Sequence, residues 1–130
     1  MSGKSSMRTP LARIRYLGSA HAGTDHFWKQ RVTAVALIPL TIAFVLIIIS
    51  LVGRNQAAAI QIIGSPFVAI TMLLFVLSGV HHMWLGMQVI IEDYVHSEDW
   101  KLTCLMANTF FSFAIAITCI FAVLKVAFGV

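Results

Sequence analysis

The sequence predicts an all-α integral membrane protein with three transmembrane helices. Of its 130 residues, 59% are hydrophobic and 11% are charged, whereas soluble domains average about 45–50% apolar and about 25% charged residues. Three nearly uncharged runs, each long enough to cross a bilayer as a helix, make up more than half of the chain. We therefore expect one small helical membrane domain and exclude an ordinary soluble protein.

The first segment, residues 1–31, is predicted to be a basic juxtamembrane arm. It carries six of the nine Lys and Arg residues and shows no sustained apolar periodicity, although Leu11–Leu17 is compatible with a short amphipathic turn at the membrane surface. The cations precede an apolar run rather than alternating with stacking aromatics, so they indicate membrane topology and not a nucleic-acid partner. No cleavable signal is apparent, so the first helix is expected to remain as an anchor.

The first transmembrane helix is predicted over residues 32–52. Val32–Val52 contains twenty-one residues without a charge, close to the roughly 20 that span a hydrocarbon core of about 30 Å. Pro39 interrupts this run but is tolerated in membrane helices. The polar stretch Gly53–Gln56 ends the helix.

The second transmembrane helix is predicted over residues 66–91, beginning near Pro66. Within it, only three residues are strongly polar: His81, His82 and Gln88. An ionisable group inside a membrane helix is costly and is a functional candidate by default. The two histidines are therefore the first candidates for a site.

The third transmembrane helix is predicted over residues 102–128, after a solvent-exposed loop, Glu92–Lys101. These helices together make residues 32–130 the transmembrane domain. Asn108 is expected to make an interhelical hydrogen bond, and Lys125 to extend towards the membrane surface.

The two cysteines are predicted to be unpaired. Cys104 and Cys119 lie fifteen residues apart in the third helix, about 22 Å along its axis and far beyond disulfide reach. The chain also lacks CxxC and CxxCH motifs. Any metal would have to be held by histidine.

The distribution of cations predicts the orientation in the membrane. The arm carries six cations and the first loop only Arg54, so the positive-inside rule places the N-terminus on the cytoplasmic or matrix side and the C-terminus on the periplasmic side. The loop Glu92–Lys101 then returns to the inner side, with Arg31 and the pair Asp93 and Tyr94 at one membrane face. No removable presequence is apparent, which favours a bacterial inner membrane over a mitochondrial one.

The spacing of the polar residues leaves their roles open. His81 and His82 point about 100° apart on a helix, and each could be a ligand, a proton carrier or an interhelical hydrogen-bonding residue. His82 shares its face with Gly79 and Gly86, which either admit a flat porphyrin or serve helix packing. His81 shares its face with leucines instead.

Tyr94 and Arg31 also have two interpretations each. A tyrosine at the hydrocarbon boundary is either an interfacial anchor or, when oriented by a neighbouring acid such as Asp93, a hydrogen-bond donor to a quinone. Arg31 is either a topology determinant or a partner for carboxylates.

One segment carries a family resemblance. The residues His82–Val95, HMWLGMQVIIEDYV, resemble the H-x-W-x-G-M-x-x-V-x-x-D-Y-V signature of succinate dehydrogenase hydrophobic membrane anchor subunits, the D subunits of complex II. The segment His26–Ala34 is a weaker match to the pre-helix segment of that family, and the three-helix layout covers nearly the whole chain. The chain is identified on these residues as similar to that family.

The resemblance implies specific roles for four residues. His82 would be one axial ligand of a haem b, with the other histidine supplied by the cytochrome b556 subunit, so that this chain forms half of a heterodimeric haem-binding helical bundle. Tyr94, with Asp93 beside it, would bind ubiquinone. Arg31 would lie near the quinone pocket or a haem propionate.

The function implied by the resemblance is that of an anchor rather than an enzyme in its own right. The chain would help to pass electrons from the iron-sulfur subunit to ubiquinone in a succinate dehydrogenase, while succinate oxidation belongs to the flavoprotein subunit. Two alternatives stay open from the sequence: the anchor of a related quinone oxidoreductase such as fumarate reductase, and a small multipass membrane protein without a cofactor.

Overall fold

The computed structural model describes residues 21–129, with side chains described from residue 24 onward. All regular structure in that part of the chain is helical. In chain order the helices are α1 (His21–Leu51), α2 (Gln56–Ile63), α3 (Pro66–Tyr94) and α4 (Glu98–Phe128). The helices α1, α3 and α4 are each long and apolar enough to cross a membrane. The predicted all-α fold with three membrane helices is confirmed.

Local sequence signals account for most helix ends. Gly53 follows the end of α1 with a φ of 74°, a left-handed conformation that favours glycine. The side chain of Asn55 accepts a hydrogen bond from the Ala58 backbone N–H at 2.9 Å and so caps α2. Pro66 is the first residue of α3, as the sequence predicts, and α1 continues through Pro39.

The membrane helices extend further than their uncharged segments. The α1 helix begins eleven residues before Val32, so the end of the predicted arm is helical. The linker between α3 and α4 contains only Val95–Ser97, not the whole of Glu92–Lys101. Charged residues are compatible with a helix because its backbone hydrogen bonds do not depend on side-chain polarity. Apolar content therefore indicates the part of a helix that lies in the hydrocarbon layer, not the full length of the helix. The predicted turn at Leu11–Leu17 lies outside the described residues.

The short helix α2 was not predicted, and it packs against α3 and α4. The residue that follows it, Gly64, needs to be small. A Cβ atom there would lie 2.9 Å from the carbonyl oxygen of Ile60 and 3.3 Å from that of Val126 in α4. This close backbone approach ties the first loop to the end of the last helix.

The long helices form a row with α3 in the middle, packed against both α1 and α4. Stacked rings of Phe44 and Phe75, with centroids 4.5 Å apart, join α1 to α3. On the other side, Asn108 of α4 donates from Nδ2 to the backbone carbonyl of Trp84 at 3.0 Å. The interhelical bond predicted for Asn108 is therefore confirmed, and both cysteines are free, as predicted.

Candidate functional site between the first and second membrane helices

The adjacent histidines of α3 lie on different sides of that helix. Nδ1 of His82 is 3.1 Å from Oγ1 of Thr33 in α1. The His81 ring stacks on Trp84, with centroids 5.8 Å apart, and Trp84 in turn donates from Nε1 to Oγ1 of Thr109 in α4 at 3.2 Å. His82 therefore belongs to the α1–α3 contact and His81 to the α3–α4 contact.

A polar cavity of about 440 Å³ surrounds His82 on the α1 side, and we call it the His82 cavity. Its polar lining residues are His26, Gln30, Arg31 and His82. Nε2 of His26 and Oε1 of Gln30 are buried without a hydrogen-bond partner among the described residues. Leaving a buried polar atom unpaired costs about 1–3 kcal/mol, so the cavity favours a ligand that carries polar groups.

The glycines beside His82 face α1. A methyl group added at Gly86 would lie 3.4 Å from Nε2 of Gln30, and one added at Gly79 would lie 3.9 Å from Cδ2 of Leu37. Both glycines therefore lie against side chains of α1. These contacts support helix packing, one of the two interpretations that the sequence left open.

Arg31 lies close to the level of His82 along the bundle. The antiparallel contacts of Thr33 with His82 and of Gln30 with Gly86 place Arg31 opposite residue 85 of α3. Residue 85 is three residues from His82, which corresponds to about 4.5 Å along the axis of α3. The Arg31 guanidinium lies 5.1 Å from the centre of the Phe27 ring, within the range of a cation–π contact.

Tyr94 and Asp93 lie at the last turn of α3 and are exposed, with Tyr94 77% accessible. Tyr94 is twelve residues from His82. Because α3 is continuous between them, this separation corresponds to about 18 Å along the helix axis. Nine residues separate Tyr94 from the level of Arg31, or about 13 Å. The structure thus brings Arg31 and His82 to one cavity, and leaves Asp93 and Tyr94 at the same end of the bundle but outside that cavity.

Sequence reasoning missed three residues around His82. Gln30 and Thr33 received no role, and His26 was noted only as part of the pre-helix segment. The three are spaced i, i+4 and i+7, which places them on one face of a helix. This signal becomes visible only when α1 is extended upstream of Val32, because the uncharged run excludes that segment.

The donor atoms of this part of the chain are too few to hold a metal unaided. Within residues 21–129, no three His, Cys, Asp or Glu side chains come together at a point that could hold a metal ion. The His82 cavity nevertheless combines an imidazole, a guanidinium and two unpaired polar atoms. This set suits a ligand with carboxylate groups.

Comparison with known proteins identifies the family of the chain. The model of the succinate dehydrogenase/fumarate reductase transmembrane subunit family matches residues 5–124. A succinate dehydrogenase hydrophobic membrane anchor subunit of Paracoccus denitrificans is 32% identical over 121 residues, which cover 93% of each chain. The protein of the same name in Rickettsia bellii is 31% identical over 118 residues, covering 89% of this chain and 93% of the relative.

A more distant relative, the succinate dehydrogenase membrane anchor subunit of Reclinomonas americana, is 28% identical over 88 residues, covering 62% of this chain and 70% of the relative. No solved structure gives a significant match. The family model nevertheless spans all three membrane helices apart from the end of α4. The chain belongs to the succinate dehydrogenase/fumarate reductase transmembrane subunit family.

Proposed function

We propose that this chain is the membrane anchor subunit of a succinate dehydrogenase, where it helps to bind haem b and ubiquinone and to pass electrons from the iron-sulfur subunit to the quinone. The observation that carries the proposal is the His82 cavity, a polar site with unpaired buried groups on an otherwise apolar helix pair. The names of the relatives support the enzyme assignment.

The residues of the His82 cavity fit a haem b. With Nδ1 facing Thr33, His82 has Nε2 left for an axial bond. The Arg31 guanidinium can pair with a propionate through two parallel hydrogen bonds, and His26 and Gln30 offer unpaired polar atoms for the same groups. A haem bound there would supply one-electron storage. The second axial histidine would come from the cytochrome b556 subunit.

The quinone is assigned to the exposed end of α3. The Tyr94 hydroxyl can donate a hydrogen bond to a quinone carbonyl, and the neighbouring carboxylate of Asp93 can orient that hydroxyl and relay protons. Both side chains are accessible in this chain. A quinone there lies towards the inner face, where the iron-sulfur subunit would deliver electrons.

The chain is proposed to lie in a bacterial inner membrane with its N-terminus in the cytoplasm and its C-terminus in the periplasm. Six cations precede the uncharged part of the first membrane helix, which starts at Val32, and this agrees with the positive-inside rule. Its protein partners are then the cytochrome b556, iron-sulfur and flavoprotein subunits. The iron-sulfur and flavoprotein subunits would sit at the cytoplasmic face, next to Tyr94.

The related function, anchoring a fumarate reductase, shares the family description. The relatives described above carry succinate dehydrogenase names, which favours quinone reduction. The cofactor-free alternative suits His81, whose ring stacks on Trp84. It leaves the unpaired atoms of His26 and Gln30 without a partner.

A haem spectrum of the assembled complex tests the proposal. The complex would be purified in mild detergent through a tag on this chain, and reduced-minus-oxidised optical spectra would be recorded for the wild type, His82→Ala and His81→Ala. We expect a b-type signal that is lost or shifted in His82→Ala and retained in His81→Ala, since of these two histidines only His82 lines the cavity. A wild-type complex without haem, or a His82→Ala complex with an unchanged spectrum, would refute the ligand assignment.

A further inference from the structure

Thr33 is the residue of α1 that contacts the His82 ring through a polar atom. Its Oγ1 lies 3.1 Å from Nδ1 of His82. The same oxygen lies 2.8 Å from the backbone carbonyl oxygen of Lys29 and 3.1 Å from that of Gln30. A threonine hydroxyl has a single hydrogen to donate and two lone pairs that accept. Which neighbour receives the hydrogen therefore decides which atom donates in the contact with His82.

Four other threonines indicate where the hydrogen goes. Each places its hydroxyl oxygen 2.8 or 2.9 Å from the backbone carbonyl oxygen four residues earlier. They are Thr71, Thr103, Thr109 and Thr118. Thr33 repeats this arrangement with Lys29 at 2.8 Å, a common bond of threonine in helices. The Thr33 hydrogen is thus donated to its own helix, and a lone pair of Oγ1 is left for His82.

We infer that Thr33 is a positioning residue that accepts a hydrogen bond from Nδ1–H of His82 and so holds the ring in the tautomer with an unprotonated Nε2. In a neutral imidazole one nitrogen carries the proton and the other has the lone pair. An iron can bind only the nitrogen with the lone pair. Thr33 thereby selects the ligating atom before any haem arrives.

The inference deepens the proposed function and rests on it, because it assigns a role towards the haem that His82 is proposed to bind. Partners of this kind orient a ligating imidazole and raise its basicity. The contact is part-buried between two membrane helices, where hydrogen bonds are stronger than in water. Thr33 and Gln30 lie on the same face of α1, so the rotation of that helix sets both the ring and the polar cavity wall.

Substitutions at Thr33 in the whole purified complex test this role. Thr33→Val keeps the shape and removes the acceptor, whereas Thr33→Ser keeps the hydroxyl. We expect the Val variant to bind haem about 10- to 100-fold more weakly, the usual effect of losing such a partner. Its haem midpoint potential should also rise, because a less basic imidazole favours the ferrous state. The Ser variant should restore both values.

Three measurements distinguish this inference from its alternatives: the haem-to-protein ratio after washing, the midpoint potential, and the co-purification of the other subunits. Thr118→Val is the matched control, because Thr118 makes the same backbone bond without a histidine. Should Thr33→Val fail to assemble, Thr33→Ala removes the same acceptor without adding bulk.

Two results overturn the role of Thr33: a Val or Ala variant with wild-type haem retention and potential, and a Ser variant as impaired as the Val variant. Either result leaves the proposed function intact if His82→Ala still loses the haem. A His82→Ala complex that keeps its haem unchanged would overturn the proposed function, and the role of Thr33 with it.

Discussion

Two neighbouring histidines in α3 have different surroundings. His82 contacts a hydroxyl and lines a polar cavity, while His81 stacks on an indole beside α4. An angular step of about 100° per residue is enough to separate a ligand candidate from a packing residue. Helical spacing described the two faces and the resemblance favoured His82, whereas the contacts of each face became known only with the positions of α1 and α4.

Tyr94 gives a prediction at the scale of one hydroxyl group. In Tyr94→Phe the ring is retained and the hydrogen-bond donor is lost, so we expect kcat/KM for ubiquinone to fall about tenfold, equivalent to about 1.4 kcal/mol. Succinate oxidation with an artificial electron acceptor should stay unchanged, because that reaction does not need the quinone site. Steady-state kinetics with both acceptors measures the difference.

The control for Tyr94→Phe is Trp100→Phe, which changes another exposed aromatic residue near the same end of the bundle. It should leave both activities at wild-type values. Full quinone reductase activity in Tyr94→Phe would assign Tyr94 to interfacial anchoring alone.

At the scale of helices, the apolar runs predicted which segments cross the membrane and the capping residues predicted some of their ends. Pro66 begins α3 as expected, because a proline suits the first turn. The starts of α1 and α4 were predicted too late, since charged turns at the membrane surface continue the helix without changing its hydrogen bonds. The same error hid the face formed by His26, Gln30 and Thr33, because the first two of these residues lie in the helical extension of α1.

Asn108 gives a prediction about the contact of α3 with α4. It is 8% exposed, and its amide donates to the Trp84 carbonyl. Asn108→Leu removes this bond, and bonds of this kind contribute about 0.6 to 1.7 kcal/mol in membrane proteins. We expect a lower thermal unfolding midpoint of the complex with an unchanged haem spectrum, because the His82 cavity lies on the other side of α3.

Thermal melts followed by the haem absorbance and by subunit dissociation would measure this effect. Met106→Leu, an exposed substitution on the same helix, is the control and should leave the midpoint in place. A melting temperature equal to that of the wild type in Asn108→Leu would show that the bond contributes nothing to the helix contact.

At the scale of the whole molecule, three crossings place the two ends of the chain on opposite sides of the membrane. We expect Asn55→Cys, in the first loop, to react with a membrane-impermeant thiol reagent added to intact cells. Ser97→Cys should react only after the membrane is opened, because the short α3–α4 linker is placed on the cytoplasmic side. Mass-shift labelling reads both positions, and the opposite pattern would reverse the proposed topology.

The polar groups of the His82 cavity also bear on protein turnover. In a newly made copy that has not met its neighbours, the exposed Arg31 and the buried, unpaired groups of His26 and Gln30 have no partner on another chain. Polar and charged groups facing lipid are costly. Surplus copies are therefore expected to be less stable in the bilayer than assembled copies, and to be recognised and degraded. The polarity that suits the cavity to the proposed haem would thus also link the lifetime of the chain to the supply of its partners.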